Sequence, residues 1–419
     1  MTMADYNYAR IDSNLAAGNY EAVSQELTEK QQTIYGSHDK VLVALDAGLV
    51  AHYDKRTDES NKLLTEAERL IEDYFTTSVT QSVTSMMTND LVTDYAGEDF
   101  EDMYVNLFMA LNYLEEGLFD DAMVEMRRFD NKLKKLRSKY EETIQQMEKD
   151  DADAKVNRVN IQFHNSALAH YLAMLMNRVE GDYDSLRIDG MLLEEAFKTQ
   201  KDLYDFPVPS SVAEEKVARR GDTRLNVLAF SGFAPIKKED VVRAYSWRGT
   251  VWYKLALPKM EKRNSAITGI VAVAKNKATG ETFSQELELI ESLENISVDT
   301  FQQKYSVLFA KAMIRSIAKT AANSAMHVAA KKTNNRNASV LFSILDIATK
   351  ITNEVTERAD VRTCRFFPAK ASVAGMNVPA GDYTVEVRFM AGKHITCTET
   401  KDLSVRAGKL NFVEATCLR

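Results

Sequence analysis

The stretch "YAGEDFEDMYVNLFMALNYLEEGLFDDAMVEMRR", residues 95–128, decides the fold of the N-terminal half. It opens with Glu98, Asp99, Glu101 and Asp102 and then repeats apolar residues at intervals of three and four, which is typical of an amphipathic helix. Carboxylates in the first turn stabilise the positive end of a helix, and Asp99 suits an N-cap. We therefore interpret the acids as the start of a helix.

The same acids were weighed as a reactive or binding site. A calcium loop needs ligands at alternating positions, a Gly at the sixth and a Glu at the twelfth, and this stretch lacks that pattern. A catalytic carboxylate pair is defined by its separation in space, so the sequence leaves that reading open. An acidic patch that binds a partner protein also stays open, but helix capping needs no further assumption.

Three junctions in the N-terminal half share one pattern, in which an aromatic residue follows Gly by two positions and an apolar residue follows three further on. They lie at residues 16–27, 114–126 and 178–188. This pattern is typical of the turn in a tetratricopeptide-like helical hairpin. The copies lie 99 and 64 residues apart, against the usual period of about 34, so the repeats are degenerate or interrupted. Residues 39–53 and 59–75 predict a further hairpin.

The periodicity divides the chain into three parts. Residues 1–205 are read as helix after helix, and "DFPVPSS" (205–211) ends them because its two prolines cannot continue a helix. Residues 222–360 predict a mixed region of strands and a long helical hairpin, whose second helix spans 338–360. Residues 361–419 alternate in the manner of a small antiparallel β-sandwich. The predicted fold class is a multidomain α+β protein.

Charge is distributed unevenly. Residues 1–206 hold 40 acidic and 21 basic residues, a net charge of −19, whereas the remaining 21 acidic and 32 basic residues give +11. The two halves could dock within one chain, join copies head to tail in a homo-oligomer, or simply remain solvated. Nucleic acid is not an expected partner, because the basic half has no dense Lys/Arg patch with interleaved aromatics.

Sequence signatures of catalysis are missing. The six histidines show no HExxH or HxxxH spacing, and no G-x-S-x-G, Walker A or G-x-G-x-x-G motif occurs. We therefore expect a non-enzymatic protein without a metal or other cofactor. No run of 18 apolar residues predicts a membrane span, and "MTMADYNYAR" shows no signal peptide. The three cysteines, Cys364, Cys397 and Cys417, allow one disulfide in an oxidising compartment, without indicating which two would pair.

Several stretches in order resemble a family of poorly characterised bacterial cell-envelope lipoproteins. They are the opening stretch, "NVLAFSGFAPIKKE" (226–239), "YKLALP" (253–258) and "ERADVRTCRFFPAKASVAGMNVPAGDYTVEV" (357–387). The resemblance covers about residues 65–390. It implies a tetratricopeptide-like N-terminal half, a C-terminal β-domain and a periplasm-facing location on the outer membrane through an N-terminal lipid anchor. The leader and the lipid-bearing Cys of that family are not found in this chain.

Two groups of residues are the candidate binding sites. Polar residues on the first helix of such hairpins line the concave groove, so Asn106, Asn112 and Glu115 are candidates for holding an extended partner peptide. Trp247 and Trp252 are candidates for a sugar-binding platform, although packing of the β region would also explain them.

These observations predict an envelope scaffold or adaptor that binds protein partners through its helical groove. The alternative is a peptidoglycan- or carbohydrate-binding module that acts through the β regions.

Overall fold

The chain folds as a mixed α+β protein. A computed structural model describes residues 6–80, 93–150, 156–245, 252–332 and 358–419, with the side chains of 77–80, 150, 252 and 319–332 left out. The second helix predicted at 338–360 falls almost wholly outside the described residues.

Helices make up most of the N-terminal half, and one long helix follows the central strands. Their bounds are α1 (Ala9–Ala16), α2 (Tyr20–Glu29), α3 (Lys40–Tyr53), α4 (Thr57–Thr80), α5 (Asp99–Glu116), α6 (Phe119–Leu136), α7 (Glu141–Asp150), α8 (Ala167–Glu180), α9 (Tyr183–Thr199), α10 (Ser210–Val217) and α11 (Leu293–Lys332). A single helical turn, Gln31–Ile34, follows α2. Among the described helices, none combines the length and apolar character needed to cross a bilayer.

The three predicted junctions are turns between paired helices. Gly18 separates α1 from α2, Gly117 separates α5 from α6, and Gly181 separates α8 from α9. Their φ angles of 73°, 74° and 84° lie in the left-handed region, which glycine adopts without the clash that a Cβ would cause. The predicted hairpin at 39–75 is also present, as α3 and α4.

Within the described ranges, ten strands form three sheets. They are β1 (Arg224–Phe233), β2 (Ile236–Tyr245), β3 (Trp252–Glu261), β4 (Gly269–Asn276), β5 (Thr282–Glu286), β6 (Glu288–Ser292), β7 (Pro368–Asn377), β8 (Gly381–Ala391), β9 (His394–Val405) and β10 (Asn411–Cys417). The inner sheet has the order β10-β1-β7-β6, the outer sheet has the order β5-β4-β8-β9, and β2 pairs with β3 in a hairpin.

Strand β1 explains how the layers meet. Because side chains alternate between the faces of a strand, Leu228 and Phe230 point into the core shared with the helices, whereas Val227 and Ala229 point into the core shared with the outer sheet. The inner sheet is therefore buried on both faces, between a layer of helices and the outer sheet. One apolar core crosses the boundary that we placed between residues 205 and 222.

Residues 361–419 do not form a β-sandwich of their own, contrary to our expectation. Strand β7 pairs with β1 and β6, β10 pairs in parallel with β1, and β8 pairs with β4. The strands of this segment thus complete sheets begun between residues 224 and 292. Local alternation predicted the strands correctly, but strand partners are chosen by contacts between distant segments.

Ion pairs join the acidic and basic halves of the chain. The pairs with the acid in the first half and the base in the second are Glu98–Lys237, Glu98–Lys304, Asp39–Arg362, Asp12–Arg365, Glu115–Lys401 and Glu194–Lys216. The two halves therefore contact each other within one chain, while the head-to-tail and solvated readings of the charge pattern stay predictions.

Candidate functional site

The three groove candidates lie on α5, the central helix of the N-terminal half. Asn106 is fully buried, and its Nδ2 donates to Glu68 Oε1 (3.0 Å) and Glu125 Oε2 (2.6 Å). These bonds tie α5 to α4 and α6. Asn106 therefore lines no open groove in this structure, because its helix is covered by its neighbours.

Asn112 is also buried, and it belongs to a polar chain that links the helices to β10. Its Oδ1 lies 2.7 Å from His52 Nδ1, and His52 Nε2 lies 2.7 Å from Glu414 Oε1. Both ring nitrogens of His52 thus lie within hydrogen-bond distance of an oxygen atom. Glu115 is half-buried and accepts from Lys401 Nζ at 2.5 and 2.7 Å. The three residues expected to hold a partner peptide are thus engaged by helices and strands of the same chain.

The side chains of the proposed sugar platform lie outside the described part of the structure. Trp247 lies outside the described residues, and Trp252 begins β3 opposite Tyr245, with its side chain not described. The platform therefore stays a prediction.

The acids of the opening stretch start a helix, as expected, but they are not a solvated cap. The N-cap is Glu98 rather than Asp99, and Glu101 Oε2 accepts from the Glu98 amide at 2.8 Å. Glu98, Asp99 and Glu101 are all buried. Burial alone would raise the pKa of Glu98, but Lys237 and Lys304 lower it below its ordinary value.

Glu101 anchors the segment that precedes β7. Its Oε1 accepts from the Cys364 amide at 2.7 Å and from Thr363 Oγ1 at 3.1 Å. Burial, and then the charge of Glu98, raise the pKa of Glu101 to about 7. The first turn of α5 thus works as a dock for "VRTCRFF" (361–367), a segment more than 250 residues later in the chain.

Tyr95 packs beneath the same dock. Its ring lies 5.3 Å from Lys237 Nζ, 6.0 Å from Lys304 Nζ and 5.4 Å from Arg362 Cζ, and its hydroxyl donates to Glu101 Oε2 at 2.8 Å. Cations near the face of an aromatic ring are attracted by its quadrupole. The opening stretch therefore gathers three basic side chains from the second half at one place.

A pocket opens beside these groups, with a volume of about 980 Å³. Four separate segments line it, namely residues 6–12, 36–39, 236–239 and 358–365. We call it the arginine pocket, and its basic lining consists of Lys237, Lys238, Arg358, Arg362 and Arg365. This volume falls at the upper end of the range for ligand pockets, about 300–1,000 Å³.

Two carboxylates hold the last of these segments as a wall of the pocket. Glu239 Oε2 accepts from the Ala359 amide at 2.8 Å. Asp39 Oδ1 accepts from Arg362 Nη1 at 3.1 Å, and Asp39 Oδ2 accepts from the Gly36 amide at 2.8 Å. Both acids therefore shape the pocket and are already engaged.

The floor is formed by Arg365, Tyr8 and Asp12. The Arg365 guanidinium stacks on the Tyr8 ring, with Cζ 4.2 Å from the centroid, and its Nη2 donates to Asp12 Oδ2 at 3.2 Å. Tyr8 is only 6% exposed, and its hydroxyl has no hydrogen-bond partner among the described residues. Arg365 Nε and Asp12 Oδ1 are likewise buried and unpaired within that part of the chain.

Unpaired groups continue behind the floor. Arg263 Nη1 and Asp46 Oδ1 are buried without a partner among the described ranges. Burial raises the pKa of Asp46 to about 6. Burial, and then the charge of Arg365, lower the pKa of Arg263 to about 9. Five buried polar atoms of this region thus have no hydrogen-bond partner among the described residues.

The residues described here include no group of three or more His, Cys, Asp or Glu side chains arranged to hold a metal ion. No family model, no curated protein and no solved structure matches this chain.

The sequence did not predict the arginine pocket, although two of its four segments, 236–239 and 358–365, lie in the stretches that carry the family resemblance. The spacing of Arg358, Arg362 and Arg365 along one segment was the available signal. That spacing matches neither the helical nor the strand period. The segment becomes a wall of the pocket only because it docks against Glu101 and Asp39.

Proposed function

We propose that this protein is a non-enzymatic adaptor of the bacterial cell envelope that binds a protein partner at the arginine pocket. The observation that carries the proposal is the pocket itself, in which basic and aromatic side chains from four distant segments converge. The helical groove, which we first considered as the binding surface, is an unsuitable site because Asn106 and Asn112 are buried by the chain's own elements.

In this proposal the tetratricopeptide-like hairpins act as a frame. The turns at Gly18, Gly117 and Gly181 support a repeat-like origin for the paired helices. The inner and outer sheets share one apolar core, which supports a sandwich-like arrangement assembled from both the middle and C-terminal segments. The frame holds Tyr8, the residue before α1, and Asp12 of α1 against Arg365 from the segment before β7.

The envelope location has two supports. One is the resemblance to cell-envelope lipoproteins carried by residues 95–128, 226–239, 253–258 and 357–387. The other is the disulfide between Cys397 and Cys417, whose Cα atoms lie 6.4 Å apart, within the range that disulfides span. Disulfides persist in oxidising compartments and are rare in the cytosol.

Site-specific photocrosslinking in native envelopes tests the proposal. A photoreactive residue at Ser37, which is exposed and lines the pocket, is expected to capture a discrete protein. The matched control places the same residue at Ala278, which is exposed in the turn between β4 and β5 and does not line the pocket. Capture at Ala278 but not at Ser37, or no capture at either position, would overturn the proposal.

A further inference from the structure

The hairpin of β2 and β3 stands apart from the two larger sheets. Within the described ranges, these strands pair only with each other. One face of the hairpin packs on α11 through a small apolar core that includes Ala244, Leu255 and Met313. Because side chains alternate along a strand, the odd-numbered residues of β2 and the even-numbered residues of β3 share the opposite face. That face is open in its distal half, where Val241 and Tyr245 are 48% and 50% exposed.

The open face carries two cations directly across from each other. Arg243 of β2 is the ladder partner of Lys254 of β3, and both side chains are exposed. Like charges at directly opposed positions destabilise a pair of strands. Neither side chain forms an ion pair within the described part of the chain, so their mutual repulsion is not relieved there.

No acid of the hairpin compensates this charge. Its distal half, residues 241–245 and 252–257, contains no Asp or Glu. The first acid of β2 on the open face is Glu239, four residues or roughly 13 Å from Arg243, and it already accepts from a backbone amide. Asp240 lies on the face that packs against α11. The distal half of the hairpin is therefore locally basic, although the whole chain has a net charge of −8.

Aromatic and apolar surface flanks the two cations. We call Val241, Arg243, Tyr245, Lys254 and Ala256 the basic face. Along β2 an exposed valine, an exposed arginine and an exposed tyrosine follow each other at every second position on this face. Tyrosine has an apolar ring and a polar tip, and the stems of Lys and Arg are apolar below their charged ends. Such side chains are typical of surfaces at the boundary between lipid headgroups and water.

An anionic bilayer surface fits the basic face better than an acidic protein segment does. A protein partner that recognises arginine generally meets a guanidinium held in place by stacking or by bidentate contacts. No carboxylate among the described residues fixes the charged end of Arg243 or Lys254 in this way. A layer of lipid phosphates supplies acceptors at many positions and attracts each Lys or Arg near it without a preset geometry.

We propose that the basic face of the β2–β3 hairpin contacts the headgroup layer of an anionic lipid bilayer. The contact is peripheral, and it is made by side chains of a hairpin rather than by a membrane span. None of the residues of the basic face lines the arginine pocket, so the inference goes beyond the adaptor proposal and does not depend on it.

Co-sedimentation of the full chain with lipid vesicles tests the inference. We expect partitioning into vesicles of phosphatidylglycerol and phosphatidylcholine in equal parts, little partitioning into phosphatidylcholine alone, and loss of binding at high salt. The double variant Arg243→Gln, Lys254→Gln should weaken partitioning about 30-fold, or about fivefold for each charge removed. The matched control is Lys275→Gln with Lys393→Gln, which removes two exposed cations outside the hairpin and should leave partitioning unchanged.

Lys254→Glu separates the contact with lipid from the stability of the hairpin. The new carboxylate would stand opposite Arg243 and replace a repulsive cross-strand pair with an attractive one. We therefore expect this variant to melt at a slightly higher temperature than wild type and to lose its partitioning into anionic vesicles. A loss of binding in a more stable protein cannot arise from misfolding.

Intrinsic fluorescence locates the contact on the chain. The two tryptophans are Trp252, which begins β3, and Trp247, which lies between β2 and β3 in the sequence. Their fluorescence therefore reports on the hairpin, and phosphatidylglycerol with brominated acyl chains should quench it when the protein binds.

Four results would overturn the inference. They are equal partitioning into both kinds of vesicle, a double variant that partitions like the matched control, binding to vesicles without quenching, and unchanged partitioning of Lys254→Glu. Binding of soluble tetraglutamate by wild type but not by the double variant, without partitioning into vesicles, would assign the basic face to an acidic protein segment instead. Photocrosslinking at Ser37 tests the adaptor proposal separately, and its failure would leave the vesicle results unaffected.

Discussion

Glu414→Gln tests whether the polar chain between α3 and β10 holds the two halves together. In the structure, Glu414 is buried, accepts from His52 Nε2 at 2.7 Å and lies 3.3 Å from Lys55 Nζ. The substitution keeps the size of the side chain and removes its charge. We expect it to destabilise the folded protein at pH 7 without changing its secondary structure.

The size of the effect follows from two observations. Burial would raise the pKa of Glu414, but His52 and Lys55 outweigh it and lower the pKa from 4.5 to about 2. At about 1.4 kcal/mol per pH unit, this shift corresponds to about 3 kcal/mol of stability. A buried charge-assisted hydrogen bond contributes about 1.5–3 kcal/mol, and the half-exposed Lys55 adds less than about 1 kcal/mol, so the contacts give a similar figure.

Urea unfolding as a function of pH measures this contribution. Because the folded-state pKa is lowered, the stabilisation by Glu414 is fully present above pH 4.5 and is lost as the pH falls toward 2. The difference between wild type and Glu414→Gln should therefore be constant near neutrality and shrink only below pH 4.5. Asp402→Asn is the matched control, because Asp402 pairs with Lys277 on the exposed side of the outer sheet and should leave stability almost unchanged.

Two results would refute this reasoning. A loss below about 1 kcal/mol at pH 7 would mean that the ion pair barely repays the desolvation of Glu414. A difference that does not shrink under acid would mean that the variant acts through packing rather than through charge.

Three further predictions concern other buried groups. Glu291→Ala should lower the free energy of unfolding, measured by chemical denaturation, by about 3–6 kcal/mol. The Tyr104 and Ser166 hydroxyls and the Leu168 amide all donate to this carboxylate and would lose a buried acceptor. A loss below about 1 kcal/mol would contradict this role. Burial raises the pKa of Glu399 from 4.5 to about 7, so its stabilising contribution to folding is present below pH 4.5 and is lost as the pH rises through 7. Glu399→Gln should therefore unfold at a higher urea concentration than wild type at pH 8. Equal midpoints of the two urea curves would count against the shift. Cys417→Ser should lower the free energy of unfolding by about 2–4 kcal/mol in an oxidising buffer, because it removes the disulfide with Cys397. The melting temperature of the variant should no longer depend on reductant. A wild-type melting temperature that is already insensitive to reductant would show that the disulfide contributes nothing.

Some features of the candidate site could be predicted from residues that lie close together in the sequence. The helical hairpins follow from Gly117 and Gly181 with the apolar periodicity on either side of each. The start of α5 follows from its acids, with an error of one residue at the cap, which is ordinary for helix ends. Whether those acids are solvated or buried was harder to predict. Only the exposure of a first-turn carboxylate in the folded chain decides whether it is a solvated cap or an anchor for another segment.

The groove candidates show why a local pattern misplaces a site. Asn106 and Asn112 were predicted to face a groove because polar residues on the first helix of an open repeat do so. That prediction considers one helix without the elements that pack on it. In the folded chain α4 and α6 cover Asn106, which bonds to Glu68 and Glu125. Asn112 bonds to His52, which in turn reaches Glu414 of β10. A surface that looks available along one helix is occupied by residues 19 to 60 positions away.

The sequence by itself determined the elements of this protein, because helix and strand periods, glycine turns and proline breaks act over a few residues. It also determined the opposite charges of the two halves. Only the tertiary structure decided which strands share a sheet, which acids became buried, and that Tyr8, Asp12, Lys237 and Arg365 surround one pocket. The physical reason is that these contacts join segments as much as 357 residues apart, where the free energy of burial and of charge pairing depends on the whole fold rather than on any local pattern.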